Sequence, residues 1–419
     1  MSILAELYAK FRVWGMPGVC DYVARSLHWR KMARELRRLS RCSGDLAQER
    51  GITLIGDFFS AYSNSKTNRD FAFALKDAGI PFQIFATDRV SMVPDSDIAS
   101  LVTPRSEFRL DRYSHVVEMF RSPLPADLVP RRARIAFWEG EHGILSVWPF
   151  LGGNDPVIGM SDFNVRYFRR EFKAPVYKIL YPLRHIDVEF PPKDVMRGRF
   201  GIRKDDFMVF FNFDFGSYKR KNPIAALRAF AEAFPVERNA KLVFKTLSAS
   251  KHSNEVEEVM SQARTLGIGD RFVMITEYLP HAELYGLTNS CDVYISLHRG
   301  EGFGLGMAEA MLMGKPVVAT DWSANTEYCL PGSSFPVAYR LVPVKPDEYF
   351  ADMQEWAEAD TSDAARHLRR CYDDRAFAEE VGAKGKAFVE EHFSLKNFKA
   401  SVEAFLDGKD VDQRLERNV

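Results

Sequence analysis

Short apolar runs alternate with amphipathic stretches along most of this chain, and that alternation restricts its fold more than any other feature. Residues 52–56 (ITLIG) read as a buried strand and residues 60–68 as a polar loop. A helix is predicted from Arg69 to Ala78, ended by Gly79-Ile80-Pro81, with a second strand at Phe82–Ala86. Further strands are predicted at Ile135–Trp138, Pro156–Gly159 and Val176–Tyr181, with a helix across Phe163–Phe172. Strand–helix–strand alternation of this kind gives a parallel sheet covered by helices on both faces.

The second half repeats the scheme. Strands are predicted at Phe207–Phe213, Lys241–Lys245, Phe272–Ile275, Asp292–Leu297 and Pro316–Thr320. Helices are predicted at Pro223–Phe234, Glu255–Leu266, Ala282–Ser290 and Leu305–Met313. After Phe335 the pattern reads as mostly helical, with amphipathic stretches at Glu379–Glu391 and Leu395–Leu406. A chain of 419 residues exceeds one ordinary core, so two domains are expected. The boundaries read as a first α/β domain over 51–186, a proline-bearing linker over 187–200, a second α/β domain over 201–390, and a final helix and tail over 391–419. Two doubly wound domains that face each other leave a cleft where the carboxyl ends of their strands converge, and open α/β sheets bind ligands at that edge.

Residues 1–50 stand apart as a basic, amphipathic, helical extension, broken near Gly15-Met16-Pro17-Gly18. Two readings fit it. One is a helix packed on the first domain with a solvated basic face, the commoner case. The other is a peripheral membrane-surface helix. Lys plus Arg equals Asp plus Glu at 57 each, so the whole chain offers no electrostatic footprint for nucleic acid. Five cysteines without a CxxC pair argue against a disulfide framework or a zinc site and suit a reducing compartment. There is no apolar run of spanning length and no signal-peptide order at the N-terminus, so a cytoplasmic location is expected, at the inner face of a membrane if the extension binds lipid.

The stretch from Asp292 to Glu309 carries the chemistry. It leaves a strand, passes Gly300, Gly302 and Gly304, and enters a helix. Glycines there permit close backbone approach and positive φ. The unsatisfied amides and dipole of the following helix favour an anion. Glu301 stands in the loop and Glu309 on the helix, the latter among Leu305, Ala308, Met311 and Leu312. A carboxylate in that apolar setting needs a partner, which ribose hydroxyls or a salt bridge would supply.

The segment EGFGLGMAEAMLMGKPVVATDWSANTEY resembles the signature of glycosyltransferase family 4, of GT-B fold, with its Glu-x7-Glu pair. The preceding SLHRGEGFG is like that of bacterial polysaccharide members, and residues 211–223 (FNFDFGSYKRKNP) are similar to the family's donor-phosphate loop. The likeness extends more loosely to Phe137–His142 and Ser161–Phe163. It implies two facing Rossmann-like domains and a retaining, metal-independent sugar transferase. The donor would be a nucleotide sugar, and the acceptor a glycan or lipid-linked glycan of cell-surface polysaccharide biosynthesis.

Position by position, the resemblance implies that Glu301 binds the donor sugar's hydroxyls. The backbone of Gly302, Phe303, Gly304 and Leu305 would hold sugar and diphosphate, and Glu309 the ribose. Lys221 and Arg220 would neutralise the leaving diphosphate, with Ser217 and Arg299 as neighbours and Tyr278 near the base. From their place after a strand of the first domain, Glu139, Glu141 and His142 should face the cleft, where His142 either polarises the acceptor or binds the donor sugar, or is structural; Tyr62 is an acceptor-side candidate or a packing residue. No cofactor and no metal are expected, because the basic pair would stand in for a metal and there is no His or Cys cluster. One departure is the first strand-to-helix loop, Asp57–Lys66, which lacks the glycine pair of many family members and carries Phe58, Phe59 and Tyr62 instead. The alternatives are a nucleotide-sugar epimerase, a phosphorylase, or a non-catalytic glycan-binding protein on the same frame. Retention of both glutamates and the basic pair weighs against the last.

Overall fold

The protein is described from a computed structural model covering residues 24, 27–39, 49–60, 63–88, 96–119, 132–138, 140, 153–184, 189–345 and 355–409. The first domain holds β1 (Glu49–Gly56), β2 (Phe82–Ala86), β3 (Tyr113–Met119), β4 (Arg132–Ala136), β5 (Val157–Gly159) and β6 (Val176–Lys178). They form one parallel sheet in the order β2-β1-β3-β4-β5-β6. Its helices are α1 (27–39), α2 (Ser63–Asp77), α3 (Ser96–Leu101) and α4 (Asp162–Glu171).

The chain then passes through α5 (Lys193–Arg199) into the second domain. Its helices are α6 (Tyr218–Lys221), α7 (Pro223–Ala233), α8 (Ser253–Thr265), α9 (His281–Ser290) and α10 (Leu305–Leu312), followed by α11 (Thr361–Asp373) and α12 (Arg375–His392). Its strands are β7 (Phe207–Asp214), β8 (Ala240–Leu247), β9 (Phe272–Ile275), β10 (Val293–Ser296), β11 (Val317–Thr320) and β12 (Phe335–Val337). They form a parallel sheet ordered β9-β8-β7-β10-β11-β12, the Rossmann order, in which the chain reverses direction between β7 and β10. Strand β7 is almost wholly buried, as a strand covered on both faces must be. Its Phe211 and Phe213 stack with ring centroids 5.0 Å apart.

Four features differ from the sequence expectations. Helix α2 begins at Ser63, so Lys66 is helical rather than in a loop. Strand β3 lacks a clean apolar pattern because it carries Glu118, which is fully buried. Arg134 at 3.1 Å and Arg132 at 3.4 Å, both on β4, compensate that charge. Beyond Phe335 the chain is not simply helical: it adds β12 and an antiparallel ribbon of β13 (Tyr339–Pro343) and β14 (Glu355–Ala359). The expected linker contains α5, whose Arg197 is buried and donates to the Ser290 and Asp206 carbonyls and the Asp292 carboxylate, so this turn belongs to the second domain.

The last helix, α13 (Leu395–Leu406), returns to the first domain. The Leu180 amide donates to Ser401 Oγ at 3.2 Å, and Phe398 meets Phe71 edge-on. Of the basic N-terminal extension, α1 buries Met32, Ala33 and Leu36 against Ile55, Phe85 and Phe108 of the first domain and turns Arg30, Lys31 and Arg34 outward. That is the packed-helix reading for those residues; the rest of 1–50 lies outside the described ones apart from Ala24 and the start of β1. Cys291, Cys329 and Cys371 are free and buried. No helix among the described residues is long and apolar enough to cross a membrane.

Candidate active site

The loops that leave β7 and β10 flank the reversal point of the second sheet, and they carry the expected donor residues. After β7, Asp214 caps a single 3-10 turn and α6 follows, ending at Asn222 in a left-handed conformation before Pro223 opens α7. This tight double start aims Arg220 and Lys221 at the loop after β10. Lys221 pairs with one oxygen of Glu301, and Arg220 lies 3.3 Å from the other. Arg220 also donates to the Gly300 carbonyl at 2.9 Å. Ser217 Oγ accepts from Arg220 at 3.3 Å.

Burial raises the Glu301 carboxyl, but Lys221 and Arg220 outweigh it and hold its pKa down at about 2. Glu301 is therefore a firm anion at the centre of a basic pocket. His298, fully buried, holds the loop from behind: Nδ1 meets Ser296 Oγ at 3.0 Å and Nε2 meets Asn325 Oδ1 at 2.9 Å. Burial lowers its pKa, so it stays neutral, which suits one donating and one accepting ring nitrogen.

Of the three loop glycines, only Gly304 has positive φ, at +89°, and a Cβ there would lie 2.4 Å from Met307 Cε and 2.6 Å from Tyr328 Oη. Gly302 serves closeness instead, since a Cβ would meet Phe137 of the first domain at 3.0 Å. The Tyr328 hydroxyl binds the carbonyls of Phe303 and Gly304 at 2.7 and 2.8 Å. With both carbonyls held inward, the loop amides and the open first turn of α10, starting at Leu305, form a cradle for an anion. The Phe303 ring is buried and stacks on Tyr181 of the first domain at 4.1 Å.

Glu309 is buried on α10, but its partner is protein. Its Oε1 accepts from Tyr285 Oη at 3.2 Å and lies 3.4 Å from Lys66 Nζ of the first domain. Lys66 also pairs with Asp70 at 2.7 Å. Burial raises the Glu309 carboxyl, with Asp70 adding to the rise and Lys66 opposing it. This cross-cleft chain was missed in the sequence because residues 60–68 read as a loop; the Lys66–Asp70 spacing of one helical turn was the available signal. Lys245, on β8, is a second missed group. It is buried and lies beside Asp214 and Glu277, and burial pushes its pKa down to about 8.

Other candidates fall elsewhere. Arg299 is bound by Glu358 at 2.7 Å, lies over Trp356 and donates to the Lys219 carbonyl, which fastens the β13–β14 ribbon to the site. Tyr278 is exposed after β9. Phe58 is a core residue, and the amides of Phe58 and Phe59 donate to Asp88. Tyr62, Glu139, Glu141 and His142 lie outside the described residues. Among those described, no group of His, Cys, Asp and Glu could hold a metal ion.

Two facing parallel sheets with this loop at the reversal point of the second define the GT-B fold. HepE of Anabaena, solved with UDP-glucose, shares it at a TM-score of 0.64 and 15% identity, over 86% of this chain and 100% of that one. Sucrose-phosphate synthase of Thermosynechococcus elongatus shares it at 0.61 and 16% identity, over 86% and 99%. Residues 215–359, the donor-side loops and the ribbon, match the family model described as glycosyl transferases group 1. The lipopolysaccharide core biosynthesis mannosyltransferase LpsB of Rhizobium meliloti (strain 1021) is 36% identical over 220 residues, 52% of this chain; the chain spans 60% of that relative's length.

Proposed function

We propose that the protein is a retaining, nucleotide-sugar-dependent glycosyltransferase of family 4 that builds a cell-surface glycan. The observation that carries this reading is the placement of Glu301 between Arg220 and Lys221 at the reversal point of the second sheet, where a diphosphate would meet fixed cations and a glycine-opened amide cradle. The family match over 215–359 and the mannosyltransferase relative support it.

In this reading the acceptor hydroxyl oxygen bonds to the anomeric carbon on the face the leaving group departs from. The bond from that carbon to the diphosphate oxygen breaks, and the hydroxyl proton passes to the departing diphosphate. Arg220 and Lys221 stabilise the growing negative charge, in the manner of pre-set electrostatic stabilisation, and no metal is required. Glu301 orients the sugar's hydroxyls, the Gly302–Leu305 backbone receives sugar and diphosphate, and Glu309 takes the ribose while Lys66 neutralises it. His142, Glu139, Glu141 and Tyr62 remain acceptor-side proposals. We place the protein in the cytoplasm, with residues 1–50 as a candidate contact to an anionic membrane; liposome flotation of the full chain against residues 51–419 tests that contact, and equal flotation removes it.

The test of activity is release of nucleoside diphosphate from a panel of nucleotide sugars, with Glu301→Ala and Lys221→Ala in parallel. Release that both substitutions lower by about a hundredfold or more is expected. Neither release nor binding of any nucleotide sugar would sink the reading, and production of an epimer without transfer would replace it with an epimerase.

A further inference from the structure

A cavity of about 520 Å³ lies between the two domains, outside the donor residues just described. One wall is a single face of α4, presenting Phe163, Arg166, Tyr167 and Arg170; the other is the turn after β11, with Asp321 and Trp322. It adjoins the donor loop directly. Ser323, in its lining, accepts the Glu301 amide at 2.8 Å, and the Ala324 amide donates to the Glu301 carbonyl. The cavity therefore abuts the main chain of Glu301, whose carboxylate faces Arg220 and Lys221.

Its surface is aromatic and basic together. The Phe163 ring meets Trp322 edge-on at 5.8 Å, and Trp322 meets Tyr339 at 5.3 Å, so an aromatic strip runs from one domain to the other. Trp322 Nε1 is buried and has no hydrogen-bond partner among the described residues, an arrangement that costs free energy until an acceptor arrives. Arg166 is exposed on this face, and Asp321 is the single acid among the described lining residues. Aromatic faces suit the C–H faces of a pyranose ring, the indole N–H suits a ring hydroxyl, and guanidinium forks suit a carboxylate or phosphate. The volume accommodates a short saccharide.

We propose that this cavity is an acceptor subsite for a saccharide bearing an anionic group, carboxylate or phosphate, on a ring next to the one that is glycosylated. The proposal rests on the transferase reading above. Trp322 and Phe163 hold the ring, and Arg166 holds the acid. Because the lining comes from both domains, the subsite is complete only when the cleft is in the arrangement described.

Titration calorimetry with the full chain tests it, using digalacturonate, mannose 6-phosphate and neutral mannotriose as probes and UDP and GDP for the donor half. At least one acidic probe should bind more than tenfold tighter than mannotriose, with affinity falling as salt is raised. Which acidic probe binds distinguishes carboxylate from phosphate. Arg166→Glu, on an exposed position, should weaken that probe at least tenfold. Trp322→Phe, which keeps an aromatic ring and removes the N–H, should weaken it severalfold. Both variants should bind the preferred nucleoside diphosphate within twofold of the parent. Failure of both acidic probes, equal binding of mannotriose, or indifference to Arg166→Glu would overturn the subsite while nucleotide binding persists. Absence of binding by UDP, GDP and every nucleotide sugar of the panel above would instead defeat the transferase reading.

Discussion

Replacing Glu301 with glutamine tests the electrostatic account of the donor loop, because it removes the charge and keeps the shape. Burial favours the neutral acid, yet Lys221 and Arg220 bring the carboxyl from its usual 4.5 down to about 2. At about 1.4 kcal/mol per pH unit, the ionised form then contributes about 3 kcal/mol to folding at neutral pH. The folded-state value lies below the unfolded one, so this contribution is complete above pH 4.5 and is lost as pH falls toward 2. By pH ~3.5 about 2 kcal/mol should remain. The variant also leaves two largely buried cations with no carboxylate between them, a further cost that does not follow the titration of Glu301. Urea unfolding of parent and variant, read by tryptophan fluorescence at pH 7, 5 and 3.5, should show a deficit of at least about 3 kcal/mol at pH 7 that narrows by about 1 kcal/mol at the lowest pH. A deficit below about 1 kcal/mol at pH 7 would place the pair among ordinary surface bridges. A deficit that does not change with pH would refute the charge argument.

Further outcomes follow from the same geometry. Lys221→Ala should lower the rate of nucleoside diphosphate release by about a hundredfold or more, the typical cost of one pre-set charge stabiliser, with a smaller change in KM; steady-state kinetics decide it. Gly304→Ala places a Cβ 2.4 Å from Met307 and forces a left-handed alanine, so it should cost about 1–3 kcal/mol, visible as a lower melting temperature, and should weaken nucleotide binding. Lys66→Met removes a cation that opposes the upward displacement of Glu309. Nucleotide affinity should weaken, and its loss on acidification should begin at a higher pH than in the parent; calorimetry across pH 5–8 reads this, and identical profiles would exclude Glu309 from ribose binding. Glu118→Gln removes the acid buried beside Arg132 and Arg134, which keep Asp155, and should destabilise the first domain by about 1–3 kcal/mol, measured by urea unfolding.

Legibility in the sequence followed the kind of information each element needs. The second domain's strands announce themselves, since residues 207–213 (FMVFFNF) have no polar alternation to confuse them, and the two loops holding Arg220 with Lys221 and Glu301 lie at predictable strand ends. Strand β3 did not, because its polarity is balanced by arginines on β4, contiguous in space and distant in sequence. Helix α2 was read several residues short because the apolar pattern starts at Phe71, whereas polar Ser65, Thr67 and Asn68 are buried ahead of it. The pairing of Glu309 with Lys66 joins two domains, and no local spacing encodes it. The aromatic strip through Phe163, Trp322 and Tyr339 has the same character: each residue is ordinary in its own segment, and only the facing of two domains makes them a surface.

The return of α13 to the first domain means that the polypeptide bridges the two halves twice, once ahead of α5 and once after α12. Beside the second bridge, Glu327 of the second domain accepts from the Asp162 amide at 2.8 Å, meets Lys178 of the first domain at 2.8 Å and meets His392 at 2.9 Å. One buried carboxylate thus fastens the first domain to the end of α12 at the point where the chain returns.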